Sequence, residues 1–380
     1  MGVCERGCSR EVFDLIVVGA GPAGCSAALG ALRARSDAKV LIIDRDPPGR
    51  DKVCGDGIGP DAVAELAALG LTGILRPEEM VSRIRIAAHG AEISAVVPRP
   101  AYIVARAEFD LRLLRAAVAA AAVFREHSVR VIGQGADRIL VDGMYSAPVM
   151  IGADGANSVT RRAAGQPPNR SRDLAVAVRG YVPAPEGLDE LYIRWDHVAG
   201  HGLSYAWAFP TAHGRANIGY GTTTPAPGRA WLAARAVDLL PEFSVSTAQM
   251  AGHLLPLSTH RPLPAVGRVL LAGDAASCIN PLTGEGIFYA IASGGMAGRA
   301  AVGPEPGPTY VRALRARFGR QDRQLRALSR TLSHPNVVAA GVRACARDER
   351  VFRSLMGVGL GDGVLELIDF ARFIRAALRR

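Results

Sequence analysis

The sequence predicts an α/β protein (α+β overall), in which a parallel sheet with helices is interleaved with an antiparallel sheet and followed by a helical C-terminal region. Between Phe13 and Asp44, an apolar strand, a glycine-rich turn, an alanine-rich helix and a second apolar strand follow one another, as at the start of a βαβ unit. Residues 174–221 alternate apolar with polar positions and carry many aromatic side chains, which is typical of antiparallel strands. The segment from Thr309 to Arg380 has the pattern of arginine-rich helices.

The composition describes a globular chain with a strong positive charge. Of its 380 residues, 49% are hydrophobic and 21% are charged, so the chain can bury a large core. The net charge is +10, and Lys39 and Lys52 are the only lysines. Two explanations stay open: a GC-rich genome that encodes arginine in place of lysine, or attraction to an anionic partner such as a dinucleotide, a diphosphate or an acidic membrane surface. We expect no nucleic-acid partner, because no known nucleic-acid-binding module is present.

The cysteines and the hydropathy pattern predict a cytoplasmic protein. The six cysteines are scattered, and only Cys4 and Cys8 lie close together, without the further ligands of a zinc site, so no metal site is expected. We find no secretory signal, and reduced thiols are therefore expected. Residues 15–32 carry no charge, but glycines and a proline divide them into strand, turn and helix, which argues against a membrane span. Peripheral contact with a membrane surface stays open.

A glycine-rich turn after the first strand predicts dinucleotide binding. Gly19, Gly21 and Gly24 form a GxGxxG motif between an apolar strand and a helix, where the backbone can approach a pyrophosphate at the helix N-terminus. Asp44 follows at about the distance expected for an acidic residue that binds a ribose. Pro22, Ala23 and Arg45 belong to the same two segments.

A second nucleotide-binding signature lies far along the chain. In residues 269–294, an apolar strand ends at Asp274, and a turn with Pro281 and Gly284 leads to Gly286 and Ile287 at the start of an apolar helix. The acidic residue can bind a sugar-like chain, and the helix N-terminus suits an anionic group. Two such signatures so far apart predict one long cofactor held at both ends. FAD has that shape.

We therefore expect a Rossmann-like FAD-binding domain whose segments are separated along the chain. The predicted FAD-binding domain comprises residues 12–80, 98–170 and 260–305, the antiparallel-sheet substrate domain residues 81–97 and 171–259, and the C-terminal helical region residues 306–380.

Between the two signatures, Asp154-Gly155 follows an apolar strand and forms a third motif. In this order the motifs resemble those of the flavin-dependent aromatic hydroxylases and their relatives with the para-hydroxybenzoate hydroxylase fold. Within that superfamily the details resemble the geranylgeranyl reductase family. The segments that carry the resemblance are DKVCGDGI at 51–58, RAEFD at 106–110, GADGANS at 152–158, YAWAFP at 205–210, NIG at 217–219, NPLTGEGIFYA at 280–290 and RACARDERVFRSLMGVGLGDG at 343–363.

The resemblance implies roles for particular residues. It places Arg106 near the diphosphate or ribityl chain of FAD, Asp274 at the ribityl–phosphate region, and Gly284 to Gly286 at the pyrimidine edge of the flavin. It implies NAD(P)H as reductant. The expected cofactor-binding residues are Gly19, Gly21, Pro22, Ala23, Gly24, Asp44, Arg45, Cys54, Gly55, Arg106, Asp154, Asp274, Gly284, Gly286 and Ile287.

The resemblance also implies a substrate pocket beside the flavin. Tyr205, Trp207 and Phe209 share one face of a strand because they alternate; an aromatic stripe in the core is the alternative interpretation. Cys54 is either a small buried residue or, since its loop approaches the flavin in this family, a proton donor or substrate-gating residue. His197 and His201 are more often ordinary surface or core residues. The candidate catalytic residues are Cys54, Tyr205 and Trp207, and the candidate pocket residues are Tyr205, Trp207, Phe209 and Pro281.

The resemblance implies an FAD-dependent reductase of carbon–carbon double bonds in a prenyl, geranylgeranyl-type chain. The alternative is an FAD-dependent monooxygenase that hydroxylates or epoxidises a small or prenylated natural product. A flavin halogenase is less favoured because its WxWxIP signature is absent and its lysine would have to be Lys39 or Lys52. A binding protein without turnover, such as a prenyl carrier, is a further alternative. Substrate chain length, NADH against NADPH or a ferredoxin, and oligomeric state stay open.

Overall fold

The computed structural model describes residues 10–198, 202–223, 228–244, 246–331 and 335–378. The strands are Glu11–Val12 (β1), Leu15–Val18 (β2), Val40–Asp44 (β3), Gly57–Ile58 (β4), Met80–Ala88 (β5), Ala91–Ile103 (β6), Val123–Glu126 (β7), Ile132–Gln134 (β8), Ile139–Val141 (β9), Tyr145–Ala147 (β10), Val149–Gly152 (β11), Leu174–Pro183 (β12), Leu191–Asp196 (β13), Ser204–Pro210 (β14), Arg215–Thr222 (β15), Ala251–Pro256 (β16), Ala265–Val266 (β17) and Val269–Leu271 (β18).

The α-helices are Pro22–Ala34 (α1), Pro60–Ala68 (α2), Arg106–Ala119 (α3), Val159–Ala163 (α4), Arg229–Leu239 (α5), Ile287–Ala301 (α6), Pro306–Thr331 (α7), Pro335–Arg347 (α8), Glu349–Leu360 (α9) and Leu367–Leu378 (α10). None of the helices in the described part of the chain is long and apolar enough to cross a membrane.

A six-stranded sheet carries the nucleotide-binding motifs. Its order is β17-β18-β11-β2-β3-β7, and all neighbours are parallel except β17 and β18. Strands β2 and β3 are buried along their whole length, as expected for apolar runs in a parallel sheet covered on both faces. Helices α1 and α6 pack closely together. A side chain at Gly294 would lie 2.1 Å from the carbonyl oxygen of Ala23, so this contact requires glycine.

An eight-stranded sheet faces the nucleotide-binding sheet across the cavity described below. Its order is β16-β12-β15-β14-β13-β5-β6-β4, and β13 and β5 are its parallel pair. Helix α5 packs on β12, β14 and β15, whereas α8 packs on β5 and β6. A small third sheet has the order β1-β10-β9-β8.

The predicted fold class is confirmed: parallel and antiparallel sheets alternate along the chain, and helices follow them. Two details differ from the prediction. Arg229–Leu239 is helical within the segment predicted as sheet, and β6 runs through residue 97, where a domain boundary was predicted. The division into domains stays a prediction.

Candidate functional site

A single cavity of about 1080 Å³ contains nearly all the residues that the sequence motifs single out. Gly24 is the exception, since it lies behind the glycine turn. The predicted residues that line the cavity are Gly19, Gly21, Pro22, Ala23, Asp44, Arg45, Cys54, Gly55, Arg106, Asp154, Tyr205, Trp207, Phe209, Asp274, Pro281, Gly284, Gly286 and Ile287. Their roles stay predictions.

Strand topology brings these distant motifs together. The glycine turn follows β2, Asp44 ends β3, Asp154 follows β11, and Asp274 follows β18. These four strands are parallel neighbours, so their carboxyl ends meet at one edge of the sheet. In open α/β sheets, ligands bind at this edge.

The glycine turn leaves a helix N-terminus open to the cavity. Gly19 has a φ of 107°, and a side chain at Gly24 would lie 1.8 Å from the carbonyl oxygen of Gly19. Helix α1 has no side-chain cap, so its first N–H groups can bind an anionic group. The Asp44 carboxylate accepts a hydrogen bond from the Ala20 N–H at 2.7 Å and so holds the turn in place.

Around Asp274 the cavity wall is rich in charge. Burial raises the pKa of this carboxyl group. The nearby Lys52, His253 and Arg106 lower it by more, so the pKa of Asp274 lies below its usual range. The Lys52 Nζ lies 3.3 Å from Asp274 Oδ2. Arg106 is buried and makes a bidentate pair with Asp110, at 2.7 and 2.8 Å. This pairing holds the guanidinium rigidly beside the cavity.

The loop that carries Cys54 is anchored to the eight-stranded sheet. The carbonyl oxygen of Cys54 accepts hydrogen bonds from Asn217 Nδ2 at 2.8 Å and from Arg179 Nε at 3.2 Å. Arg179 also donates to the carbonyl oxygen of Lys52 at 2.8 Å and pairs with Asp51 at 2.7 Å. The anchor therefore holds the loop at Cys54 and at Asp51 and Lys52 before it.

Asn217 joins this loop to the aromatic wall. Its Nδ2 also donates to Asp56 Oδ2 at 2.7 Å, and its Oδ1 accepts from the Trp207 Nε1–H at 2.9 Å. Asp56 is fully buried, has a φ of 64° and accepts a hydrogen bond from the Tyr181 hydroxyl. Burial raises the pKa of Asp56, although these hydrogen bonds and nearby guanidinium groups oppose the rise.

Sequence reasoning missed Arg179, Asp56 and Tyr181 as parts of the site. Asn217 and Asp56 lie in the NIG and DKVCGDGI segments, so the resemblance pointed to their neighbourhood without giving them a role. No sequence signal pointed to Arg179.

The aromatic side chains of β13 and β14 form one wall of the cavity. The ring centroids of Trp195 and Tyr205 are 5.1 Å apart, and those of Tyr205 and Trp207 are 5.9 Å apart. A side chain at Gly219 would lie 2.2 Å from Trp207 Cζ2, so the indole needs glycine behind it. The Tyr205 hydroxyl donates to the carbonyl oxygen of Thr283, and burial raises the pKa of Tyr205.

Beyond this wall the cavity is largely apolar. The eight-stranded sheet and the C-terminal helices line it with apolar side chains, namely Ile84, Ile86, Ile93, Ile193, Val338, Val342, Leu355, Met356 and Phe373. The cavity thus joins a polar, glycine-rich end to a long apolar end.

Relatives of known activity share most of this chain. A menaquinone reductase from Mycobacterium tuberculosis (strain H37Rv) is 34% identical over 350 residues, which cover 85% of this chain and 84% of that protein. A digeranylgeranylglycerophospholipid reductase from Methanopyrus kandleri is 33% identical over 312 residues, which cover 76% of this chain and 80% of that protein. This chain belongs to the geranylgeranyl reductase family. No protein-family model matches it.

Solved structures show that the fold is that of this reductase family and of related flavoproteins. A geranylgeranyl bacteriochlorophyll reductase-like protein from Thermoplasma acidophilum superposes with a TM-score of 0.74 at 21% identity, over 97% of this chain and 96% of that one. A variant of HpxO from Klebsiella pneumoniae in complex with FAD has a TM-score of 0.65 at 20% identity, over 93% of this chain and all of that one.

In this reductase-family chain, some residues that the sequence singled out make local contacts or lie at the surface. Asp154 accepts hydrogen bonds from the N–H and the hydroxyl of Thr160 at 3.0 and 3.1 Å, so its carboxylate supports the turn before α4. His197 is exposed, whereas His201, Cys4 and Cys8 lie outside the described residues. Within the described ranges, no group of three or more His, Cys, Asp or Glu side chains could hold a metal ion.

Glu285, on the cavity wall before α6, predicts a pH dependence of stability. Its Oε1 accepts from the Phe288 N–H at 2.8 Å, and burial raises its pKa from 4.5 to about 7. Between these pH values the folded chain holds more protons than the unfolded chain, so the free energy of unfolding falls as the pH rises. We expect Glu285→Gln to remove this fall. Chemical denaturation at about pH 5 and about pH 8 measures it.

A matched control is Glu305→Gln, since the Glu305 carboxylate is 66% exposed. This variant should follow the wild-type pH dependence. Equal pH dependence in the Glu285→Gln variant and the wild type would contradict the prediction.

Proposed function

We propose that this chain is an FAD-dependent oxidoreductase that reduces carbon–carbon double bonds in a prenyl chain. The observation that carries the proposal is the continuity of the cavity. One end presents the glycine turn, Asp44 and Asp274, and the other presents aromatic and aliphatic walls. A dinucleotide cofactor and an apolar chain can therefore meet inside one protein.

The polar end fits FAD. The free N–H groups of α1 suit its pyrophosphate, and the carboxylates at the ends of β3 and after β18 suit its ribose and ribityl hydroxyls. Arg106, fixed by Asp110, supplies positive charge beside them. When bound, FAD supplies the hydride for the reduction. We propose NAD(P)H as its electron source, and a ferredoxin-like protein is the alternative.

The apolar end fits a prenyl chain carried by a lipid or a quinone. The relatives are named for menaquinone and for digeranylgeranylglycerophospholipid, which both carry such chains. An isolated alkene is not polarised, so positive charge that develops on carbon must be tolerated. The faces of Tyr205 and Trp207 attract such charge.

Reduction of the alkene also needs a proton. Burial raises the pKa of Cys54, although Arg106 opposes the rise. The thiol therefore keeps its proton at neutral pH and can give it to the substrate carbon. The Tyr205 hydroxyl is a weaker candidate, because it already donates to the Thr283 carbonyl oxygen.

We accordingly expect Cys54→Ala to lower turnover by about 100-fold, the usual contribution of a positioned acid. Tyr205→Phe should lower it by less than about threefold, since the ring that lines the pocket is kept. Anaerobic single-turnover measurements on flavin-loaded protein give both values. Cys278→Ala is the control, because Cys278 is buried but does not line the cavity. If the double variant of Cys54 and Tyr205 keeps full turnover, the proton comes from elsewhere, such as water.

The proposed function is tested by product mass. Purified, flavin-loaded protein with chemically reduced cofactor is incubated with menaquinone, digeranylgeranylglycerophospholipid or geranylgeranyl diphosphate, with and without oxygen. A gain of two hydrogen atoms per double bond without oxygen is the expected result. Oxygen incorporation seen only in air would overturn the reductase and support the monooxygenase. Turnover of none of the three substrates would also overturn the proposal. Anaerobic bleaching of the flavin by NADH, NADPH or reduced ferredoxin then identifies the electron source.

A further inference from the structure

Helix α10 exposes a row of large apolar side chains to solvent. The exposed fractions are 91% for Leu367, 62% for Ile368 and 47% for Phe370. Other exposed large apolar side chains of the described residues, such as Leu263 at 62%, lie singly along the chain. Single exposed residues are ordinary, whereas an apolar cluster marks an interaction surface.

The same helix forms part of the cavity wall. Phe370 and Phe373 both line the cavity, and their ring centroids are 6.3 Å apart. Because Phe370 lines the cavity and is also half exposed, it lies at the rim of the opening. The exposed row is therefore continuous with the apolar end of the cavity.

Helix α10 and its neighbour α7 both carry exposed arginines. Arg320 on α7 pairs with Glu366 at 2.8 Å and so joins α7 to the start of α10. Arg323 and Arg326, further along α7, and Arg375 on α10 are exposed. An exposed apolar row on a helix that, with its neighbour, carries exposed arginines is the pattern of a helix that lies in the interface of an anionic membrane.

We propose that α10 lies on an anionic lipid bilayer, with its row of Leu367, Ile368 and Phe370 in the interface and the cavity opening toward the lipid. The inference rests on the proposed function for the membrane-borne substrate. The apolar chain then enters the cavity past Phe370 without crossing water.

The test is co-sedimentation of flavin-loaded, substrate-free protein with vesicles of phosphatidylcholine, alone or mixed with phosphatidylglycerol. Wild type should sediment with the anionic vesicles at low salt and be released as salt rises. The double variant Leu367→Ser/Ile368→Ser should bind at least about tenfold more weakly. Leu263→Ser is the matched control, since its exposed fraction equals that of Ile368, and it should bind as wild type does.

Equal sedimentation of the double variant and wild type, or no wild-type binding to anionic vesicles, would overturn the inference. So would a wild-type dimer in vesicle-free solution that the double variant loses, because a second copy would then cover the row.

The vesicle assay needs no turnover, so its failure differs from failure of the proposed function. Leu367 and Ile368 do not line the cavity. The double variant should therefore turn over detergent-dispersed substrate normally but lose activity on vesicle-borne substrate.

Discussion

Alanine in place of Gly24 is expected to weaken the retention of flavin strongly. The added methyl group would lie 1.8 Å from the carbonyl oxygen of Gly19, which is backbone and has no alternative rotamer. The turn must open, and the free N–H groups of α1 then move away from the site proposed for the pyrophosphate. Overpacking of this kind costs about 3 kcal/mol, and flavin affinity should fall at least about tenfold. The flavin-to-protein absorbance ratio after gel filtration and a thermal unfolding curve measure both effects.

The same substitution at Gly319 is the control. Gly319 also lies inside a helix, α7, but a methyl group there meets only the Arg315 side chain, at 3.5 Å. Alanine is a better helix former than glycine, so this variant should gain about 0.5–1 kcal/mol and keep its flavin. Flavin retention by the Gly24→Ala variant would show that the glycine turn does not hold the cofactor.

Leucine in place of Asn217 is expected to lower turnover by about 100-fold, the effect of misplacing a reacting group by roughly 1 Å. Asn217 holds the Cys54 carbonyl oxygen, the Asp56 carboxylate and the Trp207 N–H together. Its loss leaves the buried indole N–H without an acceptor and costs about 2–3 kcal/mol. The loop should also loosen, so alkylation of Cys54, followed by peptide mass spectrometry, should become faster.

Asn169→Leu separates positioning from stability. Asn169 accepts a hydrogen bond from the Ser277 hydroxyl at 3.0 Å and another from Arg161, but it does not line the cavity. This variant should lose comparable stability and keep wild-type turnover and Cys54 reactivity. If both variants behave alike, Asn217 has a purely structural role.

The flavin signatures could be predicted from the sequence because the residues of each signature lie close together in the chain. In the segment with Gly19 and Asp44, a strand, a turn, a helix and an acidic residue follow one another within one βαβ unit. The number of residues between them therefore predicts how they are arranged in space. The aromatic stripe was recoverable for the same reason, since alternation along β14 places Tyr205 and Trp207 on one face. The sequence could not decide whether this stripe lies in the core or lines a pocket, because aromatic side chains of this kind pack equally well in either place.

The anchor of the Cys54 loop could not be found in this way. Arg179 and Asn217 are 125 and 163 residues from Cys54 in sequence, and although Asn217 lies in the NIG segment, nothing in the sequence linked either residue to this loop. The pair of Lys52 with Asp274 likewise joins residues 222 apart. Such contacts arise only once the tertiary fold brings distant segments of the chain together.

The sequence by itself determined the fold class, the nucleotide-binding turns and the segments that border the site, because backbone sterics and apolar periodicity act over a few neighbouring residues. Only the tertiary structure decided which of these segments share one cavity, which side chains hold the Cys54 loop, and which face of α10 stays uncovered. Those outcomes depend on hydrogen bonds and burial between residues that are far apart in the chain, and single-sequence patterns do not carry that information.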